Sequence, residues 1–183
     1  VGRIRGIDRP AIAPILPAYH GKFLLMDAGA NTNCKPLNLL QFAQMSNIYL
    51  KNTLGLEKPR IGLLNIGTEE TKGNDLMKET YTLFKENAER YGLNFIGNVE
   101  GRDCFSGEVD AVITDGFTGN VFLKTVEGVG KLVKVSLTES LTKNILRTIA
   151  TVPCLPAINQ FKKMTDYKEY GGALFLGVKK PVV

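Results

Sequence analysis

Three short segments combine residue types that could hold an anion or an activated carbonyl group: "DAGANTN" (27–33), "NIGTEETKGN" (65–74) and "TDGFTGN" (114–120). Each joins glycine to Asn, Asp or Thr directly after an apolar run. Glycine lets backbone approach a ligand closely, and amide and hydroxyl side chains add neutral hydrogen bonds. In the third segment Asp115 ends a strand, Gly116 and Gly119 permit tight geometry, and Thr118 and Asn120 lie at the start of the next helix. A helix N-terminus is a natural anion site, so this turn is expected to bind phosphate. In the second, Lys72 is a cation inside a glycine-containing turn, suited to neutralising phosphate or polarising a carbonyl oxygen. Asn65, Gly67, Thr68 and Asn74 could contribute to the same site; Glu69 and Glu70 offer a plainer fate for Lys72, a surface ion pair. Asp27 and Asn31 of the first segment read as ligand-facing. The glycine and lysine order is not that of a P-loop, and no G-x-G-x-x-G fingerprint occurs.

The elements that must position these turns are legible from periodicity. Apolar runs at 22–30, 60–68, 93–99 and 109–116 read as strands, and 36–55, 73–92 and about 117–141 as helices, with Gly92 as a C-terminal cap. Leu39, Leu40, Ala43, Ile48 and Tyr49 mark the apolar face of the first helix; Leu76, Tyr81, Leu83, Phe84 and Ala88 mark that of the second. Alternating strands and helices predict a single α/β domain over 1–183 with a largely parallel sheet. Ligands in such sheets bind beyond the carboxyl ends of the strands, where all three turns fall. The opening "VGRIRGIDRP" reads as the end of a helix entering a turn, and a chain starting at Val1 as part of a larger polypeptide.

Composition bounds the function. The 183 residues hold 44% apolar and 22% charged residues, ordinary for a globular protein. Three cysteines without a CxxC pair and a single histidine, His20, indicate neither a disulfide framework nor a zinc site, and no metal is expected. The net charge of +5 favours acidic partners, but no aromatic-interleaved basic stripe points to nucleic acid. From Ser140 to Thr165 there is no acidic residue. Lys143, Arg147, Lys162 and Lys163 there flank apolar stripes that include Ile145 and Ile149, then Ile158 and Phe161. This reads as a projecting pair of basic amphipathic helices, either packed on the domain or facing a membrane surface or an acidic partner.

The strings "GIDRPAIAP", "DAGAN", "GLLNIGTEETKGN", "FIGNVEGRD", "TDGFTGNVFLKTVEG" and "YGGALFLGVKKPV" resemble, in order and along essentially the whole chain, the phosphate acyltransferase (PlsX) family of bacterial phospholipid synthesis. The resemblance implies a Rossmann-like three-layer α/β/α fold related to phosphate acetyltransferases and isopropylmalate dehydrogenases, and a homodimer. It implies transfer of a fatty acyl group from acyl carrier protein to inorganic phosphate, without an organic cofactor. The matching positions are Asp27, Asn31, Asn65, Gly67, Thr68, Lys72, Asn74, Asp115, Gly116, Thr118, Gly119 and Asn120. An earlier "DAMGGD"-type strand end and "SAGNTGA"-type turn of the family, and its longer C-terminal tail, are absent from these 183 residues. The expected location is the cytoplasm, peripheral on the inner face of the membrane.

A thioester is already activated, so the chemistry asks mainly for positioning and oxyanion stabilisation. With one histidine and no Ser-His pair, direct attack by phosphate fits better than a covalent acyl-enzyme. Lys72 is assigned charge stabilisation; Asn74 and Asn120 are assigned orientation. Two rivals are a metal-dependent hydroxy-acid dehydrogenase, which needs aspartates clustered where Asp27, Asp103, Asp110 and Asp115 look scattered, and a non-enzymatic carrier-protein or membrane module.

Overall fold

The computed structural model describes residues 2–144, 146, 147, 151–156, 158 and 173–180. Its elements run β1 (Ala11–Ala18), β2 (Gly21–Met26), α1 (Pro36–Leu54), β3 (Arg60–Asn65), α2 (Asp75–Tyr91), β4 (Asn94–Glu100), β5 (Ala111–Ile113), α3 (Gly116–Thr142) and β6 (Ala173–Leu176). The sheet order is β4-β3-β5-β2-β1-β6. The four strands from β4 to β2 pair in parallel, and β1 runs antiparallel to both β2 and β6. This is the α/β architecture expected, with a mostly parallel sheet.

Alternation along the strands makes two cores. Leu24, Met26, Ile61, Leu63, Ala111 and Ile113 face α1 and α2, where Leu39, Phe42, Met77 and Phe84 meet them. Phe23, Leu25, Leu64 and Val112 face the other way, toward the 3₁₀ turn Asp103–Phe105 and the first turns of α3 through Phe122 and Leu123. Each helix start is defined by sequence: Pro36 at the first turn of α1, the Asn74 carboxamide accepting from Met77 N of α2, and the Asp115 carboxylate at α3. Gly92 ends α2 in the left-handed conformation, as its position predicts.

Three expectations change. Residues 2–10 form no helix; Arg3 instead makes an antiparallel bridge with Val178. Ile48 is 59% exposed and lies off the buried face of α1. Strands β1 and β6 escape the periodicity reading, β1 because Pro14 and Pro17 argue against an interior strand. The register resolves this: residues 11–14 of β1 pair with β6, and 15–18 pair with β2. Each half is therefore a ladder edge on one side, where a missing N–H costs no bond.

At the far end of the sheet, Arg60 and Asp110 staple β3 to the approach of β5. The guanidinium donates to both carboxylate oxygens and the Arg60 backbone N–H to Oδ2 at 2.7 Å.

Candidate functional site

All three chemistry-bearing turns leave the carboxyl ends of neighbouring parallel strands, β3, β5 and β2. A cavity of about 410 Å³ opens between them. The first turn contributes Thr32, Asn33 and Cys34; the α2 start contributes Asn74 and Leu76; the α3 start contributes Asp115, Phe117 and Thr118. Of the residues singled out by sequence, the cavity gathers Asn74, Asp115 and Thr118, one or more from two of the turns, while the third turn lines it through residues not singled out. Thr32, Asn33 and Phe117 stand inside the quoted strings, and Phe117, 65% exposed on a first helical turn, carries the clearest missed signal.

Asp27 and Asn31 are buried and do not line the cavity. The fully buried Asp27 carboxylate accepts the backbone N–H groups of Ile12, Gly29 and Ala30 on Oδ1, and the backbone and side-chain N–H of Asn31 on Oδ2. Asn31 also donates to Pro10 O at 2.7 Å. These bonds fold the 27–31 turn around one carboxylate and fasten it to β1. The turn then locks onto α3: Gly116 N donates to Asn31 O at 2.7 Å. A Cβ on Gly116 would fall 2.7 Å from Asn31 backbone, and one on Gly119 only 1.9 Å from Asp27 O. Both glycines let the two turns pack closely. Asn120 sits on the same seam, its side chain 3.5 Å from where a Gly29 Cβ would stand.

The amides at the start of α3, the expected phosphate seat, have partners within the protein. The N–H groups of Phe117 and Thr118 donate to Asp115 Oδ1, Gly116 N to Asn31 O, and Gly119 N to Asp115 O. The Thr118 hydroxyl donates to Asp115 Oδ2. The anion at this helix start is the protein's own carboxylate. Asp27 and Asp115, scattered in sequence, do come to adjacent turns, but each carboxylate is bound by its own turn.

The 65–74 loop is more open. Asn65 staples it by donating to Lys72 O at 3.0 Å, and Asn98 of β4 donates to Glu69 O. Gly67 is buried where a Cβ would strike Glu69 and Lys72; Thr68 is exposed. The Lys72 ammonium stands 4.0 Å from Glu69, both about half exposed, an ion pair of small worth. Glu70 is engaged elsewhere, by Lys85 at 2.8 Å and the Tyr81 hydroxyl. Lys72 does not line the cavity.

Cys34 is the one cavity thiol. Burial, aided by the Asp27 and Asp115 carboxylates, pushes it up to about 11, against a Gly116 amide that favours the thiolate. At neutral pH on the order of one molecule in 10⁴ carries the thiolate, a poor nucleophile.

Lys143 and Arg147 are exposed beyond the end of α3, the latter donating to Ser140 O. Ile145, Ile149, Phe161, Lys162 and Lys163 lie outside the described residues. Among the described residues no helix is long and apolar enough to cross a membrane.

Comparison with known proteins fits this geometry. The chain is 50% identical over 183 residues to the phosphate acyltransferase of Thermoanaerobacterium thermosaccharolyticum, covering 100% of this chain and 54% of that protein. It is 50% identical over 184 residues to that of Anoxybacillus flavithermus, covering 100% and 55%. It thus spans about half the length of the curated relatives it matches. Among solved structures, the EutD phosphotransacetylase of Staphylococcus aureus superposes with a TM-score of 0.57 at 16% identity, over 70% of this chain and 44% of that one. A phosphotransacetylase of Streptococcus pyogenes gives 0.51 at 14%, with the same coverage. Both share the fold. A family model described as fatty acid synthesis protein matches residues 1–183, and the chain belongs to that family.

Proposed function

We propose that this chain forms half of an enzyme that moves a fatty acyl group from acyl carrier protein to inorganic phosphate. The observation that carries the reading is 50% identity, along the whole of this chain and about half of theirs, to proteins named phosphate acyltransferase. The gathering of three polar turns at the carboxyl ends of neighbouring parallel strands supports it. A phosphate oxygen attacks the thioester carbonyl, the C–O bond forms, the C–S bond breaks, and the carrier thiol leaves with acyl phosphate as co-product. Direct attack is favoured because the cavity thiol, Cys34, is held protonated. Lys72, on the 65–74 loop with only an exposed 4.0 Å pair to Glu69, meets negative charge on phosphate or on the oxyanion in this reading. Asn74 and Asn120, both exposed, are the orienting donors, and the other half of the enzyme completes the site. We further propose a homodimer at the cytoplasmic membrane face, with Lys143 and Arg147 toward anionic headgroups or carrier protein.

The test is product analysis in a polypeptide of the relatives' full length. Acyl-[acyl carrier protein] and phosphate should yield a hydroxylamine-trappable acyl phosphate. Phosphate-independent release of fatty acid, or NADH formation from a hydroxy acid, would overturn the reading.

A further inference from the structure

Resting on that reading, we infer that Asn98 and Asn65 are positioning residues of the transfer step, holding in place the backbone that carries Lys72. Residues 69–72 form one turn, closed by the Lys72 N–H donating to Glu69 O at 3.1 Å. Both ends of that turn are gripped from the sheet. The Asn98 carboxamide, on β4 and 5% exposed, donates to Glu69 O at 2.8 Å. That of Asn65, the last residue of β3, donates to Lys72 O at 3.0 Å. The two strands are paired in parallel, with Leu63 opposite Asn98 and Asn65 opposite Glu100, so both grips stand on one frame. A third tether comes from α2, where the Tyr81 hydroxyl and the Lys85 ammonium donate to Glu70 Oε1 at 3.0 and 2.8 Å. Beyond the turn Gly73 takes a φ of 91°, and Asn74 caps α2 at once. An exposed loop rich in glycine and charge ordinarily samples many conformations. This one has sequence-distant partners at Glu69, Glu70 and Lys72. The tethers differ in kind: the one from α2 is a solvated charge pair of small worth, whereas Asn98 is buried and its bond is neutral. Charge stabilisation in a transition state depends on a group whose backbone is already placed, because a shift of ~1 Å costs up to about 10²-fold. Each carboxamide thus acts through Lys72, and neither needs to meet a reacting atom.

The experiment uses a polypeptide of the relatives' full length with Asn98→Leu, near in shape but without a donor, and separately Asn65→Ala. One variant then decides if the other does not fold. Each should lower kcat about tenfold and leave KM for the acyl thioester and for phosphate within about twofold. Combined with Lys72→Ala, either change should lower kcat by less than about twofold further, since the group it positions is gone. Amide hydrogen exchange across residues 66–73, followed by mass spectrometry, should quicken about tenfold in each variant while that of β3 and β4 is unchanged. An equal loss of kcat with and without Lys72 overturns the inference, as does parent-like exchange in the loop, or a parent-like kcat with the loop loosened. A parent enzyme that makes no acyl phosphate overturns the reaction assignment instead, and the exchange result then decides by itself whether the two carboxamides hold the turn.

Discussion

The seam between the 27–31 and 115–119 turns and the 66–74 loop share the carboxyl end of the parallel strands and a Gly/Asn/Thr composition, yet they are built in opposite ways. In the seam every carboxylate is bound inward: Asp27 carries five hydrogen bonds and Asp115 three. At Gly116 and Gly119 a Cβ would strike backbone of the facing turn. In the loop, Thr68, Glu69, Glu70 and Lys72 are exposed, and Lys72 has only a 4.0 Å ion pair. The same residue vocabulary thus serves as scaffold in one place and as a reaching surface in the other. What separates them is whether a second backbone lies within contact distance.

Substitutions should divide along that line. Gly119→Ala puts a methyl group 1.9 Å from Asp27 O, so one of the turns must move. It should cost more than about 3 kcal/mol by denaturant titration and lower activity with it. Asp27→Asn turns an N–H toward backbone N–H donors on whichever side the nitrogen sits; about 3 kcal/mol of stability should go. Stability unchanged in either variant would dissolve the scaffold side of the comparison. Lys72→Ala should do the reverse, lowering turnover about 10²-fold while the melting temperature stays within about 1 °C. A normal rate would reduce Lys72 to a surface pair with Glu69.

A smaller effect lies at the opposite sheet end. Burial pushes Asp110 upward, but its hydrogen bonds with Arg60 outweigh that and hold it below the ordinary carboxylate range. A carboxylate lowered on folding contributes stability above its unfolded value near 3.9 and loses it as pH falls through the folded value. Arg60→Ala should flatten this acid arm of the melting profile; an identical slope would deny the staple any role. Least of all, Glu69→Gln should change stability by less than about 0.5 kcal/mol, since the pair it removes is solvated.

Much of this was written in the sequence. Strand-to-helix alternation, the helix start at Pro36 and the Gly92 stop are local signals, and local backbone physics is enough to read them. The three turns were legible as a group because parallel strands place their carboxyl ends together. β1 was not legible, because its prolines are tolerated only by a division of pairing partners that lies far along the chain. Nor were the hydrogen bonds within the turns: only the fold brings the N–H of Ile12 onto the Asp27 carboxylate.

α3 marks the same boundary. Its sequence determines a long helix with a start at Asp115, yet only Gly116 and Gly119 are buried, and residues 131–140 are all exposed. The sequence by itself determined which segments are helix, strand and polar turn, since those follow from periodicity and capping over a few residues. Tertiary structure alone decided which polar groups are consumed and which are free. A hydrogen bond, or the lack of room for a Cβ at Gly119, depends on where a second, sequence-distant backbone lies.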